Sequence, residues 1–174
     1  FGATLMKDAP QQAVKTVNGV VENDFTLAQS MRQPQYWMLA VMFLTACMSG
    51  LYVIGVAKDI AQTMAHLDVA TAANAVTVIS IANLGGRLVL GILSDKMARI
   101  RVITLGQIIC LVGMAALLFA PLNAWTFFAA IGCVAFNFGG TITVYPSLVS
   151  DFFGLNNLAK NYGVIYLGFG IGSI

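Results

Sequence analysis

Apolar stretches of membrane-spanning length dominate this chain. After a polar start they run from about 36 to 56, 72 to 93, 102 to 120, 125 to 149, and from 161 to the last residue, Ile174. Each of the first four holds about twenty residues, which as a helix crosses a hydrocarbon core about 30 Å thick. The short alternating segments of a transmembrane barrel are missing from the pattern. Hydrocarbon offers backbone groups no hydrogen bonds, so helices are the remaining solution. The pattern predicts an all-α integral membrane protein with five transmembrane helices, the last cut short.

The stretch 7–35 is polar and reads as a connecting loop before the helical domain at 36–174. Within it, the run from Asp24 to Met31 predicts a short amphipathic helix capped by Asp24. Trp37 and Trp125 stand at segment ends, where aromatic side chains meet the membrane interface. The chain starts at Phe1 rather than Met and stops inside an apolar run, so it reads as a fragment of a longer protein.

Composition agrees with the pattern. The chain is 59% hydrophobic and 9% charged, with a mean hydropathy of +0.84, whereas a soluble domain carries about 25% charged residues. A net charge of +2 is too small for nucleic-acid binding. The positions of the cations are more informative. Lys7, Lys15, Arg32, Lys96, Arg99, Arg101 and Lys160 fall on one side of the alternating helices, with Lys58 on the other. The positive-inside rule makes the first side cytoplasmic. Cys47, Cys110 and Cys133 sit in separate apolar runs without metal spacing. His66 is the single histidine and has no nucleophile or metal set beside it. No enzyme, metal site or cofactor is expected.

The remaining cation, Arg87, lies inside an apolar segment. An arginine at the centre of a membrane helix is disfavoured by about 2.5–3.5 kcal/mol on insertion scales, and by default it marks a substrate or ion pathway. Thr77, Ser80, Asn83, Arg87, Gly91 and Ser94 fall within an arc of about 120° on a helix. Arg87 is also about 12 Å along the axis from Asp95, near the membrane midplane. It either snorkels or pairs with a carboxylate, or it faces an aqueous cavity and grips an anion with two parallel hydrogen bonds. The polar stripe favours the cavity.

Other polar groups are candidates of a second rank. Thr45, Ser49 and Tyr52 share one face of the first segment. Asn137 and Tyr145 lie in the fourth, Tyr162 and Tyr166 in the fifth. Each is either a cavity-lining group or an interhelical hydrogen bond. Ala46 with Gly50, Ala82 with Gly86, and Gly168 with Gly172 are small-residue pairs that let helices approach closely. Pro146 predicts a kink in the fourth helix. Gly91, Asp95, Lys96 and Arg99 predict a cytoplasmic gate, with Asp95 pairing to a neighbour in one state and releasing it in another.

Gly91, Asp95, Lys96 and Arg99 resemble the loop motif of the major facilitator superfamily, with Ala98 in place of its second glycine and Ile100 separating the last two basic residues. Phe138-Gly139-Gly140, Tyr145-Pro146, Asp151-Phe152-Phe153-Gly154 and Asn161-Tyr162-Gly163 look like the oxalate/formate antiporter family within it, and the run from Asp24 to Trp37 is similar to that family's central loop. The likeness leans toward enterobacterial members carrying pyruvate or another monocarboxylate.

The resemblance implies the C-terminal half of a twelve-helix carrier, helices seven to eleven, with 1–35 as the loop joining its halves. It implies a bacterial inner membrane, with 1–35, 94–101 and 150–160 cytoplasmic. The family's oxalate carrier holds its dianion between an arginine on helix eight and a lysine on helix eleven. Arg87 matches the arginine, while the lysine position falls on Phe169. One cation in place of two implies a monocarboxylate such as pyruvate, lactate or formate, with oxalate less favoured.

The expected site is then Arg87, Asn83, Tyr52, Tyr145, Tyr166 and Phe169 for substrate, and Gly91, Asp95, Lys96 and Arg99 for gating. Expected partners are the small organic anion, a proton or counter-anion, the lipid bilayer and the other half of the carrier. The rival class is a membrane sensor or assembly protein that keeps a transporter-like fold without turnover.

Overall fold

The computed structural model describes residues 24–63, 66, 68–121 and 123–172. The expectations for residues 1–23 lie outside these. A single helical turn, α1 (Leu27–Ser30), precedes α2 (Pro34–Thr63), α3 (Val69–Lys96), α4 (Arg99–Phe119), α5 (Ala124–Phe153) and α6 (Leu158–Ile171). By length and composition, α2, α4, α5 and the part of α3 from Ala73 to Lys96 are able to cross a membrane. The described part of α6 is 14 residues long.

The helices outrun the apolar stretches that predict them. α2 continues through Lys58, Asp59 and Gln62 because Ala57 and Ala61 remain buried against a neighbouring cluster. Asp68 caps α3 by accepting from the Thr71 amide at 3.2 Å, and Asn123 caps α5 by accepting from the Thr126 amide at 2.9 Å. Gly154 ends α5 with φ 85°, a conformation that a residue with a Cβ rarely adopts. Pro146 sits inside α5, which continues past it to Phe153. The cap expected at Asp24 is a correction. Thr26 precedes the turn, its amide and hydroxyl both reaching Gln29 Oε1, while Asp24 accepts from Asn156 Nδ2 at 2.6 Å.

α5 is the hub. It is buried on most of its surface and packs against α2, α3, α4 and α6. Its contact with α3 is a parallel one in which small residues alternate sides. Ala82 meets Gly132, Gly86 meets Phe136, and Leu90 meets Gly140. Added atoms at Gly86 would collide with the Phe136 carbonyl, and at Gly139 with the Asn83 carbonyl, so the two backbones touch here. The α4–α5 contact runs antiparallel, with Gly106 against Asn137 and Gly113 against Ala130. Gly168 and Gly172 bring α6 onto the α2 backbone at Leu44 and Met48. The expected pair at Gly50 works differently, because the Phe138 ring rather than a backbone fills its space.

The start of α2, the end of α3, the start of α4, the end of α5 and the start of α6 gather at one end of the bundle. This basic end holds Arg32, Lys96, Arg99, Arg101 and Lys160. There the Phe25 amide donates to the Phe153 carbonyl at 3.0 Å, Asn161 Nδ2 donates to the Phe25 carbonyl at 3.1 Å, and the Tyr36 hydroxyl donates to the Asn161 carbonyl at 2.8 Å. The segment before α2 is thereby stitched to the α5–α6 junction.

Candidate functional site: an arginine on the α3–α5 seam

Arg87 is exposed on α3, one turn after Asn83 and next to Gly86 of the seam. Its Nε donates to Asn83 Oδ1 at 3.0 Å, and Asn83 Nδ2 donates to the Ala135 carbonyl on α5 at 3.4 Å. The guanidinium is thus fastened through a neutral amide to the neighbouring helix. Among the described residues, the ion pair that forms is Arg99 with Asp151, and it does not involve Arg87. The polar stripe is divided in use. Ser80 and Ser94 donate to carbonyls of their own helix, at Val76 and Gly91, while Asn83 bridges to α5.

The aromatic candidates fall into separate places. Tyr166 and Phe169 stack at 5.3 Å with an interplanar angle of 2°, and Phe138 of α5 stacks on Phe169 at 6.3 Å. Tyr162 and Phe43 extend this ladder through Tyr166. Tyr145 is fully buried against Phe43, and its hydroxyl donates to the Leu39 carbonyl at 2.6 Å. Of the two roles left open for Tyr145, the structure places it in the interhelical hydrogen bond. Tyr52 is 68% exposed on α2. Among the described residues, no hydrogen bond or ring contact joins Arg87 to the α6 aromatics.

The loop residues also separate. A Cβ added at Gly91 would lie in ordinary contact with Thr143, while Asp95 and Lys96 are exposed at the end of α3. Arg99 reaches α5, where it pairs with Asp151 and lies 3.5 Å from the Ser147 carbonyl. The carboxylate opposite Arg99 is Asp151, a residue outside the expected gating set. Asp151 was visible only as the first residue of the Asp-Phe-Phe-Gly string. An apolar groove at the same end, lined by Trp37, Met38, Val41, Met42, Ile100 and Phe152, contains none of the expected site residues.

The family pattern of the Major Facilitator Superfamily matches residues 3–174. The chain is 88% identical over all 174 residues to 43% of the length of the uncharacterized MFS-type transporter YhjX of Escherichia coli (strain K12). It is 29% identical over 163 residues, 90% of the chain, to 37% of the oxalate:formate antiporter of Oxalobacter formigenes. The chain thus spans less than half the length of these relatives, which are named as transporters rather than enzymes. With helices long and apolar enough to cross a membrane and a family match over nearly its whole length, the chain belongs to the Major Facilitator Superfamily.

Proposed function

We propose that this chain is the C-terminal half of a secondary transporter for a small organic anion with one carboxylate, such as pyruvate, lactate or formate. The observation that carries the reading is Arg87. It is exposed on α3, in the apolar segment expected to cross the membrane, and held by a neutral amide, and among the described residues no carboxylate pairs with it. A guanidinium in that state can take a carboxylate through two parallel hydrogen bonds. The likeness to a protein named for oxalate and formate supports a carboxylate ligand.

Phe169 supports a single charge on that ligand. It is an apolar ring in an aromatic stack, where the resemblance places the second cation of the oxalate carrier. Tyr52 and Tyr166, both exposed, complete the lining together with Asn83. Substrate sits near the midplane between this half and its partner half, and rocking of the halves exposes it to each side in turn. In this reading α2 to α6 are helices seven to eleven of twelve. The basic end faces the cytoplasm across a bacterial inner membrane, and Gly91, Asp95, Lys96, Arg99 and Asp151 form its gate. A proton or a counter-anion is the coupling partner.

Counterflow in proteoliposomes tests the reading. Labelled pyruvate exchanges through the wild-type protein, Arg87→Lys weakens exchange, and Arg87→Ala abolishes it. Normal exchange by Arg87→Ala would sink the assignment. Pyruvate binding without exchange would instead identify a sensor with a transporter-like fold.

A further inference from the structure

The hydrogen bonds around Arg87 divide its guanidinium into a used edge and a free edge. A guanidinium presents two edges to a carboxylate, one formed by Nε with an Nη and one by the two Nη groups. At Arg87 the Nε–H is committed to Asn83 Oδ1 at 3.0 Å. Among the described residues the Nη groups take no protein acceptor, and the residue is exposed. The edge left for a ligand is the Nη1–Nη2 edge.

Asn83 itself is anchored. Its Nδ2 donates to the Ala135 carbonyl, and its own carbonyl lies against Gly139 so closely that a Cβ there would collide with it. Asn83 is therefore held against α5 through both its side chain and its backbone. Its chemistry also suits a holder rather than a counter-ion. An amide oxygen accepts the Nε–H and leaves the full positive charge, whereas a carboxylate at this spot would neutralise it and compete with an anionic ligand.

We infer that Asn83 is a positioning residue, which ties Arg87 Nε to the α5 backbone so that one substrate carboxylate is taken end-on by Nη1 and Nη2. This rests on the carboxylate-binding role proposed for Arg87, and it moves Asn83 from the substrate-contacting set to the support behind it. Because the anchor is an α5 carbonyl, sliding of α5 against α3 changes the aim of the guanidinium.

The test is a double-mutant cycle on the intact purified protein, read as the pyruvate Kd by isothermal titration. Lysine has neither the Nε–H nor the fork, so a bond from its ammonium to Asn83 Oδ1 has no two-pronged edge to aim in an Arg87→Lys background. Asn83→Ala is expected to raise Kd about tenfold with Arg87 present, as for loss of a hydrogen bond to a charged group, and less than about twofold with Arg87→Lys. The isosteric Asn83→Asp keeps the shape but loses the donor to the Ala135 carbonyl and sets a negative charge beside Arg87, and it is expected to weaken binding at least as much as Asn83→Ala. Equal losses from Asn83→Ala in both backgrounds, or wild-type affinity in Asn83→Asp, overturn the positioning role alone. A Kd unchanged by Arg87→Ala overturns the carboxylate site itself, so the two failures leave different signatures.

Discussion

Arg87 and Arg99 are arginines in two differently built regions. Arg99 stands at the basic end, where it finds Asp151 on α5 and lies beside the Ser147 carbonyl. Its surroundings are polar and stitched, with Asp24, Phe25, Asn156 and Asn161 joined by hydrogen bonds across α5 and α6. Arg87 stands on a seam of glycines and apolar side chains, where its partner is an amide. A cation given a carboxylate by its own chain is neutralised and holds helices together. A cation given a neutral acceptor keeps its positive charge. The carboxylate site proposed on the seam rests on that contrast: Arg99 has a carboxylate beside it and Arg87 an amide.

The strongest way to break the comparison is to break the seam beneath Arg87. Leucine at Gly86 would push into the Phe136 backbone, which has no flexible end to give way. Gly86→Leu should cost at least the upper part of the usual overpacking range of about 1–3 kcal/mol, seen as a collapse of thermal stability in detergent. Gly163→Ala, with nothing within 4 Å of the added carbon, is the matched control and should stay within about 0.5 kcal/mol of wild type. Equal effects would mean that the close approach of α3 and α5 is not what supports Arg87.

Exchanging the two losses is the next test. Arg87→Ala should cut pyruvate affinity about a hundredfold, the loss of a charged bidentate contact, and leave thermal stability intact. Arg99→Ala should leave affinity within about twofold and lower stability by about 0.2–1 kcal/mol, because its ion pair is half-exposed, with side chains 30% and 46% accessible. A binding defect in Arg99→Ala as large as that in Arg87→Ala would erase the distinction between the regions.

Two further substitutions sharpen the picture of the basic end. Asn161 is fully buried, so Asn161→Ala leaves the Phe25 carbonyl without its donor. The expected loss is about 1–3 kcal/mol, checked by thermal unfolding. Tyr145→Phe removes only the hydroxyl that donates to the Leu39 carbonyl. It should cost about 0.6 kcal/mol and spare pyruvate exchange. Exchange lost on that single-atom change would return Tyr145 to the substrate lining.

Much of the scaffold is legible from periodicity because lipid imposes one rule on every spanning segment. The stretches about 36–56 and 125–149 became α2 and α5, although both helices run further, since helical hydrogen bonding does not stop where apolar composition does. The stripe containing Asn83 and Arg87 is equally legible, because residues four apart share a helix face and here share a hydrogen bond. The cap at Thr26 was not legible, because the more obvious capping residue, Asp24, is drawn away by Asn156 on a distant turn. Nor was the partner of Arg99. The two are 52 positions apart, and only the antiparallel placement of α4 and α5 brings Asp151 to Arg99.

By itself the sequence determined that the chain spans a membrane as helices, that one cation is kept inside an apolar segment, and that this cation shares a face with Asn83. These follow from hydropathy and helical spacing, which are local properties. Only the tertiary structure decided that Arg99 has a carboxylate beside it while Arg87 has an amide. That depends on which acceptors the neighbouring helices bring up. α5 brings a carboxylate to Arg99, and to Arg87 it brings only a backbone carbonyl reached through an amide.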